Sequence, residues 1–289
     1  MNGPWAQTAV TGIPLFARPK LAATVRIWVQ GLVPRHAPTE EYYASMERHA
    51  SAIADAGTVV DFKALPADLY PQGSSPAVLT RYIAGELVQA ASMAACALEA
   101  EASGYDAFAI ATLQEPGLQA VRTLTNIPIL GYGLAASLFG RCLGSRVGIL
   151  AFNAPLLPLM KERLDAHVPG SVGPVRDLGV GYEEVLAAFG GASLKDRFED
   201  GCRELIDDGA DVIVAGQMIL AELAWDMKTM RVENVPILDA LGAILLLAED
   251  LHRLREVSGV SPNRRGIYWS RPSPEALAMI TSMTRRALR

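Results

Sequence analysis

Two segments concentrate polar chemistry at the ends of apolar runs. In the first, Ala107-Phe-Ala-Ile-Ala leads into Thr112-Leu-Gln114-Glu115-Pro116-Gly117-Leu118. A hydroxyl, an amide and a carboxylate thus stand directly before a proline, a residue suited to the first helical turn. In the second, Gly209-Ala-Asp-Val-Ile-Val-Ala leads into Gly216-Gln217-Met218. Each run reads as a buried strand that breaks into a helix, and in parallel α/β sheets that edge is where ligands bind. Neither Thr112 nor Gln217 is an acid, a base or a good nucleophile. Glu115 is the strong base of these motifs, and either it caps the helix or it faces a ligand. Gln114 suits a pocket wall, Gly216 allows close backbone approach, and Gln217 offers a donor and an acceptor to a carbonyl or carboxylate.

A third segment, Gly131-Tyr132-Gly133-Leu-Ala-Ala136, matches the G-x-G-x-x-A fingerprint of dinucleotide sites. That fingerprint requires an acid about 20 residues on, at the end of the next strand. The next run ends Leu150-Ala-Phe-Asn153, without one. The glycines therefore read as close backbone approach to a small anion, with Tyr132 as pocket wall or acid partner, or else as a tight strand-to-helix turn. His36, His49 and His252 fall in polar or charged segments where solvated surface positions are expected, and His167 ends a helix, where positive charge is favourable. No metal-ligand spacing and no nucleophile-elbow or phosphate-loop motif occurs, so neither a metal nor a cofactor is expected.

The elements that must hold these groups are legible from periodicity. Val/Ile-rich runs at 24–30, 58–62, 107–112, 127–131, 146–152, 175–180, 211–216 and 235–239 predict strands. Helical patterns lie between them: 39–57 with Thr39 as N-cap, 78–103, and a stretch ending at Gly209 with Ser193 and Asp196 as a capping box. Asp239 is placed to cap 240–257, and Ser273 to cap a last helix with arginines at its C-terminal end. Alternation of this kind requires crossover helices and parallel sheets. The order repeats, which predicts an α/β fold of two similar lobes, each a short parallel sheet flanked by helices. Residues 24–133 with 240–289 form the first lobe and 134–239 the second; the extension 1–23 is expected to pack on a lobe or a neighbouring subunit.

Composition bounds the partners. The 289 residues are 51% hydrophobic and 20% charged, with a net charge of −5, which is ordinary globular composition. Without a basic stripe or aromatic-basic interleaving, nucleic acid is not expected as a partner. The apolar stretch 240–247 falls well short of the ~20 residues that span a bilayer, so no membrane partner is expected. Cys96, Cys142 and Cys202 show no pairing pattern, and no signal peptide is evident, so a reducing, cytoplasmic setting is expected.

These strand-end motifs resemble the aspartate/glutamate racemase superfamily, in particular its hydantoin-racemase-like branch. Thr112 to Leu118 is similar to the family pattern C-F-x-D-P-G-L, and Gly209 to Met218 to G-A-D-V-I-V-L-G-C-T. Pro128 to Ala136 is similar to P-V-x-G-x-x-E-A-S, with Leu134 in place of the acid. The resemblance implies one pocket in the cleft between the lobes, no cofactor, a small carboxylate or cyclic amide as substrate, and a homo-oligomer. It also implies two cysteines on opposite sides of the substrate carbon, one thiolate base and one thiol acid. Threonine and glutamine stand at those positions here. An isomerase-type enzyme with non-cysteine acid/base chemistry is therefore expected, with Glu115 as base and Tyr132 as acid, and with Thr112, Gln114, Gly131, Gly133, Gly216, Gln217 and Met218 binding the substrate. Decarboxylation or hydrolysis on the same scaffold, or binding without catalysis, are the alternatives.

Overall fold

A computed structural model of the chain describes residues 24–66, 69–70 and 80–287. The extension 1–23 and the start of the helix expected from residue 78 lie outside the described residues.

Two parallel sheets organise the molecule. In the first, β1 (Val25–Gln30) lies between β2 (Thr58–Lys63) and β3 (Ala107–Ile110), and β4 (Ile129–Gly131) completes the order β2-β1-β3-β4. In the second, β5 (Val147–Ala151) lies between β6 (Val172–Asp177) and β7 (Val212–Ala215). Every pairing within these two sheets is parallel. β3, β5 and β7 are buried along their whole length, which is why they are continuous apolar runs rather than alternating ones.

Helices α1 (Glu40–Ile53), α2 (Gly85–Ala102) and α3 (Leu118–Leu124) connect the first sheet. Side chains of β1 divide between its faces: Ile27 and Val29 join the large core that includes the second sheet, while Trp28 packs with Phe108, Met93 and Ala97 toward α2. α4 (Tyr132–Leu143) carries the chain from β4 into the second sheet. There α5 (Leu157–His167), α6 (Tyr182–Phe189), α7 (Lys195–Asp207) and α8 (Met218–Asp226) flank the strands. The long α9 (Ala240–Ser258) returns to pack on α1, α4, β1 and β3, and α10 (Pro274–Ala287) ends the described chain. Among the described residues, no helix is long and apolar enough to cross a membrane.

Several expectations are corrected. The last predicted strand, 235–239, is mostly not part of the parallel sheet. Val235–Pro236 (β9) pairs antiparallel with Arg231–Val232 (β8), and Ile237 alone bridges Ile213. The hairpin loop places Glu233 and Asn234 at φ 45° and 67°, the left-handed pair that tight hairpins require. The sixth strand begins at Val172 rather than residue 175. The Ser193 capping box does not form, because α7 starts after Leu194 without a side-chain cap. Thr39 precedes α1 but turns its hydroxyl to Pro34 O, 2.9 Å away, instead of capping. His49 and His252 are buried, not solvated. Asp239 does cap α9, accepting from Gly242 N at 2.7 Å.

Candidate functional site

The C-terminal ends of β3 and β7 open on one cavity of about 70 Å³, several times the roughly 10–15 Å³ that admits a water molecule. Thr112 and Gln114 reach it from the first sheet. Gln217 and Met218 reach it from the second, joined by Asn153 after β5 and Tyr182 at the start of α6. The two segments singled out by sequence thus meet across a single site. The first residues of α8 also line it, so the positive end of that helix faces the cavity.

Local structure fixes the polar groups. The Thr112 hydroxyl donates to the Gln114 side-chain oxygen. Gln217 is in extended backbone as the N-cap of α8, and its side-chain oxygen accepts from Phe152 N at 3.4 Å. Its Nε2 is buried with no hydrogen-bond partner among the described residues, and the same holds for the Tyr182 hydroxyl. Among the described lining residues there is no carboxylate, imidazole, thiol or cationic side chain. The ionisable groups there are the phenols of Tyr42 and Tyr182. Burial raises both phenols, with neighbouring tyrosines and carboxylates adding to the effect, so both remain protonated donors at neutral pH. The described lining can hold a neutral, hydrogen-bonding ligand and can offer protons; among the described residues it includes no side chain that removes one.

The remaining sequence candidates lie off the cavity wall. Glu115 is buried and turned to the protein interior: its Oε1 accepts from Leu134 N at 2.7 Å, capping α4, and its Oε2 lies 2.5 Å from His167 Nε2. Its own backbone is left-handed, at φ 49°, a strained conformation for a residue with a Cβ. Gly131 and Gly133 approach an anion, as their motif suggests, but the anion is this carboxylate. A Cβ on Gly131 would sit 1.9 Å from Glu115 Oε1, and one on Gly133 would sit 3.0 Å from Oε2. Tyr132 is fully buried with its hydroxyl donating to Ala215 O, and burial holds its phenol far above the ordinary range. Gly216 makes room for Met160 and Ala151, whose Sδ and Cβ would lie 2.6 and 2.8 Å from an added Cβ. The base and acid expected of Glu115 and Tyr132 are therefore not brought to the cavity. Their polar atoms are occupied by long-range partners that a local motif does not reveal.

Two features were missed in the sequence. Asn153 was detectable, since the strand-end rule applied to β3 and β7 also holds for β5; Tyr182 follows a loop and carried no such signal. The second feature is a buried polar cluster between α1 and α8. His49 Nδ1 lies 2.9 Å from Glu222 Oε2 and its Nε2 lies 3.0 Å from Asp239 Oδ2. The imidazole stacks on Trp225 with ring centroids 4.1 Å apart, and Ser45 donates to Glu222 at 2.6 Å. Among the described residues no group of three or more His, Cys, Asp or Glu side chains is arranged to hold a metal ion.

Comparison with known proteins bears on this geometry. The family model described as Asp/Glu/Hydantoin racemase matches residues 35–248. A hydantoin racemase from Pseudomonas sp. (strain NS671) is 24% identical over 152 residues, 52% of this chain and 60% of that protein, so the match spans less than two thirds of the relative's length. Allantoin racemase from Klebsiella pneumoniae superposes with a TM-score of 0.66 at 22% identity, covering 86% of this chain and 94% of that one. Allantoin racemase from Pseudomonas fluorescens gives 0.66 at 21% identity, covering 86% and 98%. At these identities the structural likeness establishes the fold.

Proposed function

The chain belongs to the Asp/Glu/Hydantoin racemase family, and from that membership we propose that it is a cofactor-independent, racemase-like enzyme acting on a small cyclic amide with non-cysteine proton chemistry. The observation that carries the reading is the meeting of Thr112 and Gln217 across one cavity lined by neutral hydrogen-bonding groups. A cyclic amide presents alternating N–H and C=O groups that such a wall can satisfy. A carboxylate would enter without a cationic partner among the described lining residues, and burying an unpaired charge is costly. The names of the hydantoin and allantoin racemases it resembles point to the same substrate class.

In this reading Thr112, Gln114 and Gln217 hold the ring. The start of α8 and the protonated phenols of Tyr42 and Tyr182 stabilise negative charge as it develops on a ring carbonyl. A carbon-bound proton next to that carbonyl is thereby made more acidic: solvent hydroxide takes it, giving water and the enolate, and water returns a proton to either face, regenerating hydroxide and the ring. Glu115 and Tyr132 act as positioning residues: one caps α4 and ties it to His167, the other ties α4 to the end of β7. We further infer a reducing, cytoplasmic setting from the three free cysteines. A homo-oligomer is supported by the exposed Met279, Ile280 and Met283 of α10.

The test is to follow enantiopure 5-methylhydantoin and allantoin by polarimetry while recording the thermal shift each produces. Protein-dependent loss of rotation supports the enzyme. The lack of a base among the described lining residues favours one other reading, a binding protein without turnover. That reading predicts a thermal shift with the ligand recovered unchanged.

A further inference from the structure

We infer that Gln217 and Tyr182 together form a carbonyl-reading pair, two donors of the second lobe that determine which rings the cavity accepts; this rests on the cyclic-amide reading above. Buried polar atoms in folded proteins almost always have partners. Gln89, Thr125, Arg163 and Arg253 each carry a buried atom without one, but none of them lines the cavity. Gln217 Nε2 and the Tyr182 hydroxyl do belong to lining residues. The Gln217 amide is also oriented: Phe152 N holds its oxygen, which leaves the NH₂ group as the free end. The Tyr182 phenol stays protonated and so remains available as a donor. The two unmatched donors belong to lining residues and are covered in the free protein; turned toward a ligand they match its carbonyl oxygens, and a ring lacking a carbonyl there would leave both unpaired. Discrimination by unpaired buried donors is steep.

The experiment titrates the full-length protein with hydantoin by calorimetry, alongside Tyr182→Phe and Gln217→Glu, with melting temperatures measured without ligand. Tyr182→Phe removes a hydroxyl that has no partner among the described residues, so its unliganded melting temperature should be unchanged or higher. Its hydantoin Kd should weaken by about tenfold, the loss of one buried hydrogen bond. Gln217→Glu keeps the acceptor for Phe152 N and replaces the donor with an acceptor, and it should weaken binding at least as much. A purely structural role would instead lower the unliganded melting temperature of Tyr182→Phe and leave Kd alone, which overturns the inference. If wild type binds hydantoin and both variants bind it equally well, the inference also fails while the cyclic-amide reading stands. If wild type binds no cyclic amide, the reading of the site fails and the inference falls with it.

Discussion

Glu115 and His167 meet at 2.5 Å across the two halves of the fold, one following β3 and the other ending α5. The pair joins the motif that precedes α3 to a helix of the second sheet, and Glu115 also caps the helix between them. The carboxylate is therefore held by partners rather than offered to the cavity.

Glu115→Gln should accordingly destabilise the protein by about 2 kcal/mol, the typical consequence of leaving buried polar groups without their partner. Chemical denaturation measures it. Below the new melting temperature, ligand binding should survive. Full stability combined with complete loss of turnover would instead make Glu115 a direct participant.

Gly131→Ala should be severely destabilising, because its Cβ would overlap Glu115 Oε1. The same substitution in a Glu115→Ala background should be far better tolerated, since the obstructing carboxylate is gone. A double-mutant cycle by thermal denaturation reads this coupling. Additive effects would show that the glycine serves some other neighbour.

Much of the fold was legible because β3, β5 and β7 are buried on both faces and so appear as unbroken apolar runs. The cavity-facing positions of Thr112, Gln114, Gln217 and Met218 were legible for a related reason, since strand ends in parallel sheets point toward one edge. Glu115 was not decidable locally. Its role depends on His167, 52 positions away, and on glycines that accommodate a side chain rather than a nucleotide. His49 looked solvated because its neighbours in α1 are charged, yet Glu222 and Asp239, which bury and pair it, are distant in sequence.

The His49 cluster predicts a pH dependence. Burial alone would lower the imidazolium, but hydrogen bonds to Asp239 and Glu222, with their charges, outweigh it and raise His49 from 6.5 to about 9. A group raised on folding contributes its full stability below its unfolded value and loses it as pH rises through the folded one. Stability should therefore be fully present near pH 6 and fall progressively, by an amount on the order of 3 kcal/mol, as pH rises from 6.5 to about 9. His49→Gln should flatten that decline in denaturation measured across this range. Identical slopes for variant and wild type would remove His49 from the account.

Alkylation should leave the site untouched. Burial raises the Cys96 and Cys202 thiols to about 11 and about 12, which leaves little thiolate, and Cys142 is exposed but does not line the cavity. After iodoacetamide, mass spectrometry should find Cys142 modified, with hydantoin binding unchanged. Loss of binding that ligand prevents would place a cysteine in the site.

The central claim is that Thr112 and Gln217 face one another across a cysteine-free site that activates a cyclic amide. Proton NMR of 5-methylhydantoin in D₂O measures this most directly, by following exchange at the ring carbon. The account predicts protein-dependent exchange that survives iodoacetamide and is lost in both Thr112→Val and Gln217→Leu. Exchange no faster than without protein, or exchange that persists in both variants, would contradict it.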